Sequence, residues 1–203
     1  MLNISTKSLI KQAKIENNAV PYCMALVGSK AYIGLDSSFI CWDFESNSVA
    51  YSMFNKHKFN GAVRSAASLG DEVVFGSMDG TLRKYNPGSD NLLILIDKMG
   101  SDNFYSVAVS PDERYAGAGS YFGNIYYYDF VNNKIDSITN IHGNNGIQSV
   151  IWDLAFSMNF QCVISTGVDA KLAYSSLTEG KLKQYSGHTG HNRRCGYFDE
   201  ELL

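Results

Sequence analysis

Few residues in this chain of 203 stand in arrangements able to carry chemistry. The segment "SGHTGHNRRC" places His188 and His191 near Cys195, a spacing tolerable for zinc, but no fourth ligand accompanies them. The other two histidines, His57 in "HKFNGAV" and His142 in "HGNNGIQ", have no activated nucleophile or base near them in the sequence. An enzyme would need carboxylates, histidines or metal ligands converging from several segments, and only Asp153, Arg64 and the histidine loops offer anything. No catalytic residue, metal ligand or cofactor is therefore assigned.

The elements that position these residues are repeats. Similar segments begin at Val20, Ala62, Asn103 and Ser149. With Leu26, Ala67, Val109 and Phe156 as equivalent positions, the spacings are 41, 42 and 47 residues, the last lengthened by the loop "IHGNNGIQS". Each segment reads as four short strands: "SVAVS" and its equivalents, a second strand ending at Gly or Ser, a third after an Asp- or Gly-bearing turn, and an exposed fourth such as "KIDSIT". A four-stranded unit of about 40 residues cannot bury both faces alone, but stacked units can.

Composition agrees with an all-β chain. Tyr (13) and Phe (11) are plentiful and Pro (3) is scarce. A net charge of −3 argues against a broad nucleic-acid footprint, which needs clustered Lys and Arg. Lys56, Lys58, Arg64, Arg193 and Arg194 have two readings, a site for RNA or an acidic peptide and a solvated surface. No apolar run has the length of a membrane span, and "MLNISTKSLIKQAKIENN" lacks the apolar stretch of a secretion signal. Four cysteines without CxxC spacing are then expected as reduced thiols, in the cytoplasm or alternatively the nucleus.

The repeats resemble WD-repeat β-propeller blades. The resemblance rests on "CWDF" (Trp42, Asp43), "RKYN" (Tyr85, Asn86) and "YYYDF" (Tyr128, Asp129) at the ends of third strands. It rests also on the turn aspartates of "SMDG" (Asp79) and "GVDA" (Asp169), and on His57, His142 and His188 ahead of first strands, "SGHTG" being nearest to the family's Gly-His signature. It covers about Val20 to Gly190. Ser175 stands at the Trp position of the fourth repeat and Phe122 at the turn-Asp position of the third. In this family a loop His, a Ser or Thr, the turn Asp and the Trp form a hydrogen-bonded brace. The resemblance thus implies bracing roles for His57, Ser77, Asp79 and Tyr85 in one set, and for Trp42, His142, Asp169 and His188 elsewhere.

The expected architecture is an incomplete or open propeller. Residues 1–19 form an outer strand and loop of a latch or preceding blade, 20–61, 62–102, 103–146 and 147–190 form blades, and 191–203 begin a further, truncated blade. A fragment of a longer propeller, closure through a second copy at open blade edges, and a compact ring of about five blades are alternatives, the fragment being favoured. The function implied is non-enzymatic: a scaffold binding proteins or peptides within a larger complex. The loop-face positions are Met78, Val168, Tyr121 and Phe122, readable either as a recognition patch or as packing against the next blade. Tyr22, Val63, Tyr105 and Trp152 are read as core, with Trp152, Leu154 and Phe156 alternating on one face. Arg64 and Asp153 are aligned with each other on the opposite face, lining the channel. An enzyme or small-ligand binder using channel-lining polar residues is the alternative function.

Overall fold

The structure, a computed structural model, describes residues 2–3, 8–9, 12, 14–15, 19–50, 52–98, 101–143, 149–157, 162–179 and 182–196. The chain is all-β, with four antiparallel four-stranded sheets in sequence order. A short pair, β1 (Leu2–Asn3) and β2 (Ser8–Leu9), precedes them. Sheet 1 holds β3 (Cys23–Val27), β4 (Lys30–Gly34), β5 (Phe39–Asp43) and β6 (Ser48–Ala50). A one-turn helix, α1 (Ser52–Lys56), stands in the connection to the next sheet. Sheet 2 holds β7 (Val63–Leu69), β8 (Glu72–Ser77), β9 (Thr81–Asn86) and β10 (Asn91–Asp97). Sheet 3 holds β11 (Phe104–Val109), β12 (Tyr115–Ser120), β13 (Ile125–Asp129) and β14 (Lys134–Ile138). Sheet 4 holds β15 (Ile151–Phe156), β16 (Cys162–Gly167), β17 (Lys171–Ser176) and β18 (Leu182–Ser186). Every sheet is a meander, each strand pairing with the next in sequence.

Successive residues of a strand point to opposite faces, so a strand apolar at every position needs a cover on both sides. In β8, Val73 and Phe75 join Tyr32, Phe39 and Tyr85 in the core between sheets 1 and 2. Val74, between them, joins Ile96, Phe104 and Ala116 between sheets 2 and 3. Sheet 3 repeats this division, with Tyr115, Ile125 and Tyr127 packing on Leu154, Phe156 and Val163 of sheet 4. Each large side chain so buried contributes about 1.5–3 kcal/mol. Among the fourth strands, β10 sends Leu95 and Ile96 into the core between sheets 2 and 3, whereas β14 and β18 are almost wholly exposed.

The first strands β3, β7, β11 and β15 run beside one another in order. Side chain-to-backbone bonds hold this seam. The Cys23 thiol meets the Val63 carbonyl at 3.3 Å, the Ser106 hydroxyl donates to the Ile151 carbonyl at 3.0 Å, and the Val107 N–H donates to the Ser65 hydroxyl at 3.0 Å. Close approach here excludes side chains from the facing second strands. A Cβ on Gly76 would lie 2.5 Å from Val107 Cγ2, and one on Gly119 would lie 2.5 Å from Ile151 Cγ2.

The Trp-Asp positions perform a repeated task at the outer end of each sheet, and it differs from the expected one. Trp42 Nε1 donates to Asn47 at 3.3 Å, Tyr85 hydroxyl to Asp90 at 2.9 Å, and Tyr128 hydroxyl to Asn133. Each acceptor lies five residues on and holds a left-handed backbone, with φ of 55°, 50° and 51°, which Asn and Asp tolerate best. The next residue caps the same turn. Asp43 accepts from Glu45 and Ser46 N–H, Asn86 from Ser89, Asp129 from Val131 and Asn132, and Ser176 from Thr178 and Glu179. Trp42 therefore braces its own hairpin rather than a histidine network. In sheet 4, Ser175 is too short to reach across, and its buried hydroxyl has no partner among the described residues.

Ser8–Leu9, within the expected outer latch segment, pairs with Leu2–Asn3. Of the expected further blade, residues 191–196 are described and carry no strand, and 197–203 lie outside the described residues.

Two outcomes test this account. Replacing Gly119 with Ala should destabilise the chain by about 1–3 kcal/mol through overpacking, visible as a fall of several degrees in Tm; an unchanged Tm would mean the seam is looser than the geometry here. Arg114 beside Asp129, aided by the turn N–H groups, holds its carboxyl at about 2. Because the folded pKa lies below the ordinary value of 3.8, this group's stabilisation is complete above that value and lost as pH falls through about 2. Asp129→Asn should therefore lower the urea midpoint at neutral pH and flatten its acid dependence; parallel wild-type and variant profiles would refute this.

Candidate functional site

The antiparallel register of the first strands breaks at equivalent places. Shifts between Val63 and Ser65, Phe104 and Ser106, and Ile151 and Asp153 leave Arg64, Tyr105 and Trp152 as the extra residue in β7, β11 and β15. Bulges re-aim side chains, and these three turn away from the intersheet cores. This corrects two expectations. Tyr105 and Trp152 are not core residues, because the bulge breaks the period-two alternation that would have placed Trp152 with Leu154 and Phe156. Arg64 is equivalent to Tyr105 and Trp152, while Asp153 is equivalent to Ser65 and Ser106, so Arg64 and Asp153 do not share one position. Val63 alone of the expected core series is fully buried; Tyr22 is 36% exposed.

Together these residues line an open cleft of about 310 Å³ that draws on all four sheets. Its floor is a ladder of cations and rings. The Arg64 guanidinium lies 4.7 Å from the Tyr22 ring centre and 5.5 Å from that of Tyr105. Tyr105 meets Trp152 edge-on at 5.7 Å, and Arg193 lies 5.6 Å over Trp152. Such contacts each contribute about 0.5–2 kcal/mol, more where water is excluded. Arg64 Nε and Trp152 Nε1 are buried donors without partners among the described residues. Asp153 accepts from the Cys195 N–H at 3.0 Å and faces Arg194 at 4.0 Å. Burial pushes the Asp153 carboxyl up, against the opposing pull of Cys195 N–H and Arg194.

The loop-face positions cluster only in part. The N–H groups of Met78, Tyr121 and Val168 each bond the carbonyl just ahead of a first strand, Ala62, Asn103 and Val150, at 2.9–3.1 Å. All three therefore sit at the end of the sheets where the first strands begin and the cleft opens. Tyr121 stacks near Tyr105 at 5.9 Å and meets Phe122, 44% exposed, at 5.4 Å, which extends the aromatic surface from the cleft. Met78 and Val168 are half-buried beside the cleft and do not line it.

The expected brace His57–Ser77–Asp79–Tyr85 is split in two. His57 Nε2 and the Tyr85 hydroxyl converge on Asp90, with Lys56 bound there as well, so that Lys56 first and His57 next hold its carboxyl well below the usual range. Asp79 instead ties together Asn60 N–H, Thr81 and Arg83, and its own N–H donates to Ser77. The reason is steric. Phe75 occupies the second-strand position that Ser165 holds in sheet 4, and His57 stacks over Phe39 beside Phe75 rather than reaching Asp79. In sheet 4 the brace does form. His142 Nδ1 meets Asp169 at 2.8 Å and its Nε2 meets the Ser165 hydroxyl at 2.9 Å. In sheet 3, Asp102 from the preceding loop replaces the absent turn carboxylate, accepting from Phe122 N–H, Asn124 and Tyr126. His188 is exposed and braces no described sheet, because no described strand follows it.

Among the described residues no three His, Cys, Asp or Glu side chains have metal-binding geometry, and His191 Nδ1 bonds the Val168 carbonyl at 2.7 Å. Sequence reasoning missed Tyr22, Tyr105 and Trp152 as cleft residues; for Tyr105 and Trp152 the signal lay in the polar residue two places after each apolar start ("FYS", "IWD", as in "VRS"), where strict alternation would put an apolar one.

No protein-family model matches the chain, and no curated protein matches it. Among solved structures, 1314 chains match. One is the extracellular domain of a protein described as a hybrid two component system from B. thetaiotaomicron, with a TM-score of 0.66 and 14% identity. The match covers 88% of this chain and 24% of that one, so the present chain spans about a quarter of that structure's length. At this identity the likeness concerns the fold alone.

Proposed function

We propose that the chain is a non-enzymatic WD-repeat scaffold, four blades of an incomplete propeller, that binds protein partners in a larger complex. The blade reading draws on the meander sheets, the neighbouring first strands and the His142–Asp169–Ser165 brace. The observation that carries the binding reading is the cleft itself: each of four sheets contributes a side chain to one aromatic and cationic surface containing two unpartnered buried donors. Tyr121 and Phe122 extend that surface, and Met78 and Val168 flank it. Aromatic and Arg side chains are the usual anchors of protein interfaces. Direct nucleic-acid binding is disfavoured by the net charge of −3. Among the described residues sheets 1 and 4 each border one other four-stranded sheet, so self-association through open blade edges belongs to the same proposal.

The alternative, a propeller enzyme or small-ligand binder, uses the same cleft, where Asp153 and Arg64 are the polar groups. Asp153 is committed to the Cys195 N–H and faces Arg194, and burial, with Asp153 beside it, pushes the Cys195 thiol up to about 12, which favours binding over proton transfer. The proposal of a cytoplasmic or nuclear setting draws on Cys41 and Cys162, buried free thiols of separate sheets.

The test is quantitative affinity purification from the cell of origin with the unaltered chain and with the double variant Met78→Glu, Val168→Glu. The expected result is loss of a defined partner set at unchanged Tm. The same partners captured equally by both would rule out this face.

A further inference from the structure

We propose that the cleft recognises a carboxylate of an acidic protein segment, with Arg64 as the group that receives it; this rests on the scaffold reading above. Charge is the first argument. Three arginines and one aspartate line the cleft, and that aspartate is already engaged by the Cys195 N–H at 3.0 Å and faces Arg194 at 4.0 Å. Arg64 is left without an ion-pair or hydrogen-bond partner among the described residues, and its Nε is buried.

Shape is the second argument. The Arg64 guanidinium packs against two rings, its carbon 4.7 Å from the centre of Tyr22 and 5.5 Å from that of Tyr105. A guanidinium held by rings keeps its planar N–H fork, which matches a planar carboxylate through two parallel N–H···O bonds. The Trp152 N–H, also unpartnered among the described residues, supplies a second donor two sheets further along the ladder, and Arg193 over Trp152 adds positive charge beyond it.

Size selects a protein segment over a free small acid. At about 310 Å³ and open to solvent, the cleft is at the lower limit of pockets that enclose a ligand. It can admit one or two side chains of a longer chain lying across the mouth. Tyr121 and Phe122 continue the surface from Tyr105, offering an apolar contact to a residue next to the acidic one. A nucleic-acid backbone fits less well, because its affinity requires a track of several cations, and here Asp36, bonded to the Tyr22 hydroxyl at 2.8 Å, sits beside the ladder's first ring.

The experiment titrates the full chain, carrying Trp42→Phe so that Trp152 alone reports by fluorescence, with the peptide acetyl-Ala-Glu-Phe-Glu-Ala-amide. The glutamine counterpart and inorganic phosphate serve as competing probes. Saturable binding of the glutamate peptide, at least tenfold weaker for its glutamine counterpart and for phosphate, is expected. Arg64→Gln should weaken it at least tenfold at unchanged Tm, and the exposed Arg193→Gln should weaken it less; the latter reads the site even if the former fails to fold. Equal binding of both peptides, preference for phosphate, or no effect of either substitution would overturn the carboxylate assignment. If the peptide fails while partner capture remains sensitive to Met78→Glu and Val168→Glu, the ligand class is wrong and the scaffold reading stands. Failure of both removes both.

Discussion

Sheets 2 and 3 carry apolar side chains on both faces, and water tolerates such a sheet only when another lies against each side. Val73 and Phe75 face sheet 1 while Val74 faces sheet 3, so three adjacent residues of one strand join two cores. Nothing else in the fold relieves this demand. It forces the sheets into a row, brings the first strands side by side, and requires glycine at positions 76 and 119 where one sheet's second strand meets the next sheet's first. The seam bonds of Cys23, Ser65 and Ser106 follow from the same proximity, since backbone groups pressed that close must be satisfied across the gap.

The cleft is a by-product of how the seam begins. An extra residue at the start of β7, β11 and β15 cannot enter the cores, because the ladder pairs the residues on either side of it. Arg64, Tyr105 and Trp152 are thereby expelled to one side and stacked at the spacing of adjacent sheets. That spacing, within 6 Å between ladder groups, is close enough for cation–π and edge-to-face contacts to order the side chains.

Polar bracing is met in several chemical ways. Each sheet uses a carboxylate to tie the loop ahead of its first strand to the following turn, but the donor set differs: Asp36 binds Val20 N–H, Asp79 binds Asn60 N–H, and Asp169 binds His142 and Gly143 N–H. In sheet 3 the carboxylate, Asp102, comes from the loop instead of the turn. The requirement is electrostatic satisfaction of a tight turn, and any acid arriving from either side meets it.

The repeat spacing, the four-strand units and the exposure of β14 and β18 were legible in the sequence, because alternation and turn residues act locally and recur at about forty-residue intervals. The capping role of Asp43, Asn86 and Asp129 also lies close to their sequence positions. What only the tertiary structure decided was where the alternation slips and which acid each bracing group meets. A bulge shows in the pairing of two strands rather than in one strand's composition, so Trp152 reads as core until β16 is laid beside it. Likewise, His57 reaches Asp90 rather than Asp79 because Phe39 and Phe75 fill the space between, a matter of volume contributed by residues from two different sheets.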